Sequence, residues 1–181
     1  MKKISVLLFL SLIIFATACK KDKKVDPPAP TKDELIVGDW TLESISSDDG
    51  VILTEVAGMR DTTTFTVQSK DENYTMEVNE NKSYSSSGGL TLSVATTDSD
   101  GLTTVRDTVI ADTTSTGTWL IRDDVFELMD SDGDVTDSKI LELTDKKLKL
   151  ETKENDTTMV SVFGFDVTLI TTNTNISVFK K

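Results

Sequence analysis

Apolar and polar residues alternate along most of this chain. Tyr74, Met76 and Val78 alternate with Thr75 and Glu77, and Leu90, Leu92 and Val94 with Thr91 and Ser93. Phe163, Phe165, Val167 and Leu169 alternate with Gly164, Asp166 and Thr168, and shorter versions pair Phe65 with Val67, Leu148 with Leu150 and Ile176 with Val178. A period of two places one face in a core and the other in water, which is the pattern of antiparallel strands. No window of about 12 or more residues carries a helical period, although Thr54 to Met59 is compatible with a short helical turn. Turn chemistry falls between the runs. Asp98-Ser99-Asp100-Gly101 and Asp130-Ser131-Asp132-Gly133-Asp134 read as hairpin loops, Asn79 to Lys82 and Thr144 to Lys146 as turns, and Ser85 to Gly89 as a Ser/Gly loop. The count is about eight to ten short strands at regular spacing, which predicts an all-β barrel or sandwich.

The first residues break this pattern. Lys2 and Lys3 precede a nearly unbroken apolar run from Ile4 to Phe15, and the small residues Ala16, Thr17 and Ala18 lead to Cys19. That three-part arrangement predicts a secretory signal peptide over residues 1–18. The run is short of the roughly 20 residues a membrane span requires. Cys19 is the only cysteine, so an internal disulfide is excluded. Residues 19–34 then read as a tether, because Lys20 to Lys24 are charged and Pro27, Pro28 and Pro30 favour an extended spacer. The folded domain is expected over residues 35–181, long enough to bury a core without staples.

Composition narrows the chemistry. The chain has 31 acidic against 19 basic residues, and loss of residues 1–18 removes Lys2 and Lys3, taking the net charge from −12 to −14. Such a surface repels nucleic acid. Histidine is absent and Cys19 stands alone, which removes Ser-His-Asp and Cys-His nucleophilic catalysis and the usual His/Cys metal sites. Gly88-Gly89 is too short for a phosphate-binding loop. Paired carboxylates remain a formal route to glycoside chemistry, but no spacing singles out a pair. Asp130, Asp132, Asp134 and Asp137 surround Gly133 with calcium-type oxygens, yet the spacing departs from the twelve-residue calcium loop and fits a solvated hairpin. No enzymatic activity, cofactor or metal is expected.

Two resemblances add to this reading. Ala16-Thr17-Ala18-Cys19 resembles the lipobox of bacterial lipoproteins, with Ala16 where that family usually has Leu. The resemblance implies acylation of Cys19 by palmitate-type chains, a membrane link through that lipid, and, with Lys20 next in line, an outer-membrane location in the cell envelope. Separately, Gly38-Asp39-Trp40-Thr41-Leu42 and Gly117-Thr118-Trp119-Leu120-Ile121 each put Trp two residues after Gly at the head of a β run. Together with Phe126 to Leu128, Ile140 to Thr144 and Leu148 to Leu150, they resemble the lipocalin-like domains of Bacteroidetes lipoproteins over about residues 35–155. That family likeness implies an antiparallel up-and-down β-barrel with Trp40 plugging one end, Gly38, Trp40, Gly117 and Trp119 being the structural motif. In true lipocalins an arginine from the far end of the chain packs over the first Trp. Here the last run offers Lys180 and Lys181, and the arginines are Arg60, Arg106 and Arg122.

Two functions follow from these expectations. A monomeric, lipid-anchored barrel would hold a small hydrophobic ligand, with Met76, Leu92, Val94, Phe163 and Phe165 as the candidate lining. The same residues equally fill a solid core. In that case the protein is a non-enzymatic surface structural or interaction protein that meets protein or glycan partners through its outer strands and loops.

Overall fold

The computed structural model describes residues 28–162 and 165–181. Among these residues one short helix, α1 (Lys32–Ile36), leads into nine strands: β1 (Gly38–Val56), β2 (Met59–Lys70), β3 (Thr75–Val78), β4 (Ser83–Thr97), β5 (Thr103–Arg122), β6 (Val125–Asp130), β7 (Val135–Leu143), β8 (Lys147–Val162) and β9 (Phe165–Lys180). All pairings are antiparallel, and β9 returns to pair with β1, so the one sheet closes in a ring. The all-β expectation holds at this level.

The nine strands occupy eight positions in the ring. β2 and β3 both lie between β1 and β4. Gly38–Thr41 of β1 and Tyr84–Ser87 of β4 pair with β3, while Ser46–Val56 and Thr91–Thr97 pair with β2. A kink over residues 71–74 separates them, with Asp71 at φ 52°. The Ser69 hydroxyl and Glu72 hydrogen-bond to each other there, and Ser69 Oγ also accepts from the Ile45 amide at 2.7 Å. The kinked backbone presses on Gly88–Gly89. A Cβ on Gly88 (φ +115°) would collide with the Asn73 carbonyl, and the Gly89 amide donates to Asn73 Oδ1. Ser85–Gly89 is therefore strand, not the loop its composition suggests, because its glycines admit a neighbouring backbone. Thr54–Met59 likewise differs from expectation. It is the tip of the β1–β2 hairpin, turning at Ala57-Gly58 with positive φ at both residues.

Three short connections, around Asn79–Lys82, Asp123–Asp124 and Asp145–Lys146, gather at one end with α1 and the C-terminus. The main core sits just inside this end: Trp40, Leu42, Met76, Val78, Tyr84, Trp119, Phe126, Ile140, Leu148, Leu150 and Phe179, with Ile36 of α1 beneath them. The helix is held by a capping box. The Glu34 amide donates to Thr31 Oγ1, and the Thr31 amide donates to the Glu34 carboxylate at 2.6 Å. These bonds from Thr31, the backbone one first, hold the Glu34 carboxyl below its ordinary range.

The two Gly-x-Trp segments play parallel parts here. Each indole N–H donates to a backbone carbonyl, Trp40 to Ile36 at 2.6 Å and Trp119 to Asn79 at 2.9 Å. Each ring also lies beneath a lysine ammonium, Lys181 at 4.6 Å from the Trp40 centroid and Lys82 at 3.7 Å from that of Trp119. Lys181 additionally donates to the carbonyls of Leu35 and Val37, both at 2.7 Å. Burial pushes its ammonium below the usual lysine range, with Asp145 opposing. Gly117 is required by contact, since a Cβ there would run into the Met129 carbonyl across the ladder.

Away from this end the ring is incomplete. β6 and β7 are 6 and 9 residues long, whereas β5 has 20 and β8 has 16. Beyond Gly117 the strand β5 pairs only with β4, and beyond Thr152 the strand β8 pairs only with β9, among the described residues. Six strands continue as a curved wall with two free edges, Thr103–Thr116 and Lys153–Val162.

Candidate functional site

The concave side of the molecule holds a cavity of about 380 Å³ where the packed end gives way to the open wall. Its floor is Leu42 and Ile45 of β1, Tyr74 from the β2–β3 kink, Leu90 of β4 and Phe179 of β9. Thr136 of β7, Thr152 and Glu154 of β8, and Asn175 and Ser177 of β9 form the rim. The register explains why these residues meet. Thr152 faces Asn175, Leu150 faces Ser177 and Leu148 faces Phe179, so one face of each strand points inward together. A register shift in β1 between Leu42 and Ser44 turns Ile45 to the same side as Leu42.

Thr136, Thr152 and Glu154 also line a second hollow of about 490 Å³, together with Val135, Asp137, Lys153, Asn155 and Asp156. This notch lies along the free edge of β8 above the short β6–β7 hairpin, so the cavity opens sideways through the break in the ring. Glu154 stands at the threshold of both spaces and, among the described residues, is the one charged side chain lining the inner cavity. Across the ladder it faces Asn173, whose Oδ1 is buried without a hydrogen-bond partner, while Asn173 Nδ2 donates to Asn175 Oδ1 at 3.1 Å.

The sequence candidates fall in different places. Met76 is 3% exposed, deep in the packed end, and does not line the cavity. Leu92 and Val94 are half-buried higher on the open wall, opposite Thr108 and Arg106 of β5. Phe163 lies outside the described residues, as does Cys19, and Phe165 opens β9 with its side chain outside them. Gly38, Trp40, Gly117 and Trp119 all sit at the packed end. Alternation identified inward-facing strands but not how far along each strand the space opens. The cavity residues Leu42, Ile45, Tyr74, Phe179 and Glu154 carried no separate signal.

The acidic turns have structural partners. Asp130 Oδ1 accepts from the amides of Asp132 and Asp134, both at 2.9 Å, and Asp98 Oδ1 from those of Asp100 and Leu102. No group of three or more metal-ligating side chains occurs among the described residues. The chain matches no protein-family model, no curated protein and no solved structure.

Proposed function

We propose that this protein is a lipid-anchored binding module of the bacterial cell envelope, a lipocalin-like β-barrel that holds one small, largely apolar ligand. The observation that carries the binding reading is the cavity. It is within the usual size range of small-molecule sites and has an apolar floor with a few polar groups at its rim. The eight ring positions in chain order and the terminal Lys181 over Trp40 support the lipocalin-like reading, lysine standing where that family has arginine. The signal-like residues 1–18 and the lipobox-like Ala16–Cys19 support acylation of Cys19 and an outer-membrane location.

The test is binding of a neutral fluorescent probe, N-phenyl-1-naphthylamine, by the purified full-length chain. Saturable binding with one site per chain is expected. Ser177→Trp fills the cavity from β9, and it should abolish binding while the unfolding transition persists. Leu90→Asp should weaken binding from the opposite wall. Probe binding that survives both changes places the ligand elsewhere and rejects the reading. For the anchor, intact mass of the envelope-extracted protein should show acyl additions that Cys19→Ser abolishes.

A second reading is favoured by the free edge of β5. Its backbone is unpaired on one side, and Val105 and Val109 are 62% and 74% exposed, so it offers an extended partner chain a place to pair. This would make the protein an interaction module, and an empty, probe-blind cavity would point to it.

A further inference from the structure

The chemistry at the cavity mouth specifies more than an apolar ligand. We infer that the site selects cationic amphiphiles, molecules with an apolar body and a protonated amine. This rests on the cavity being the binding site.

The apolar floor takes the body. What meets the other end of the ligand is a set of acceptors. Glu154 lines both the inner cavity and the notch, and Asp137 and Asp156 line the notch beside it. Glu154, Asp137 and Asp156 form no ion pair among the described residues. Among the described residues Lys153 is the single cation lining the notch, outnumbered by these three carboxylates, and none lines the cavity. Arg106 faces the concave side from the opposite wall, paired with Val94 above the level of Leu90, and lines neither space. An anionic head group would therefore meet like charges. An ammonium group meets opposite charge and donates to those carboxylates.

The head group can be varied while the body is held constant. Decylamine, decanol and decanoate each compete with bound N-phenyl-1-naphthylamine on the full-length chain. Decylamine should displace the probe at about one-tenth the concentration decanoate needs, with decanol between them. Glu154→Gln should shrink the amine's advantage about threefold, and Glu154→Gln with Asp156→Asn should bring amine and alcohol to within about twofold. Decanol should be unaffected by either change, and thermal melts confirm that these exposed substitutions leave the fold intact. Equal displacement by all three compounds overturns the inference and leaves the cavity reading standing, as does an amine preference that persists in the double variant. Failure of the probe to bind saturably overturns both.

Discussion

The two ends of this molecule are built from the same strands on different terms. At the packed end every ring position is filled, α1 closes the base, and Trp40 and Phe126 are fully buried. At the open end six strands carry on without β6 and β7, and residues 103 to 114 of β5 are all exposed. Burial at about 25 cal/mol per Å² of apolar surface stabilises the first region, whereas the second is held mainly by ladder hydrogen bonds between long neighbours. Stability is concentrated at one end, which leaves the other free to form an opening. The cavity lies on the boundary between them.

This contrast can be broken by substitution. Trp40→Ala should give the largest loss, about 3–5 kcal/mol in chemical unfolding, because it empties the core and orphans the Ile36 carbonyl. Val109→Ala at the open end should change stability by less than about 0.5 kcal/mol. Similar losses at the two positions would show that the ends are equally loaded. The glycines give a finer comparison. Gly117→Ala drives a methyl into the Met129 carbonyl and should lose about 3 kcal/mol. Gly58→Ala at the β1–β2 tip has open space around it and meets only its positive φ of 81°, for about 1 kcal/mol. Lys181→Met removes the ammonium from Trp40 and two carbonyl partners, and should cost about 1 kcal/mol in thermal melts.

The smallest expected effect is pH-dependent and lies at the seam. Asp49, at the β1 bulge, accepts from the Thr174 amide at 2.8 Å, and the Thr174 hydroxyl and amide hold its carboxyl below the usual range. A carboxylate with a lowered folded-state value stabilises the protein above its unfolded value, near 4. That contribution fades as pH falls through the folded value. Asp49→Asn should melt slightly below the parent at pH 7, and the difference should close on acidification below about pH 4. A gap that is constant from pH 7 to pH 2 would assign Asp49 no titrating role.

The strands with clean alternation were legible in the sequence. Met76 and Val78, Leu148 and Leu150, and Phe65 with Val67 all face inward as their period requires. The turns at Asn79–Lys82, Asp98–Gly101 and Asp130–Asp134 were legible from backbone preferences. β9 misleads, since Ile176 and Val178 alternate but the residues facing the cavity are Ser177 and Phe179. Both faces of that strand carry apolar residues, so the period alone cannot choose between them. The site was illegible for a related reason. It depends on β6 and β7 ending early and on the bulges of β1, which are matters of length and register between distant segments.

The unpaired edge of β5 has a further consequence, for how the molecule exchanges its amide hydrogens. Along Thr103–Thr116 the strand has, among the described residues, a partner on one side only, so alternate N–H groups point to β4 and away from it. Protection in deuterium exchange should rise and fall with a period of two along this stretch, then become continuous over Gly117–Trp119, where β4 and β6 cover both sides. The length of the short hairpin β6–β7 would thus be written in the time course of its neighbour.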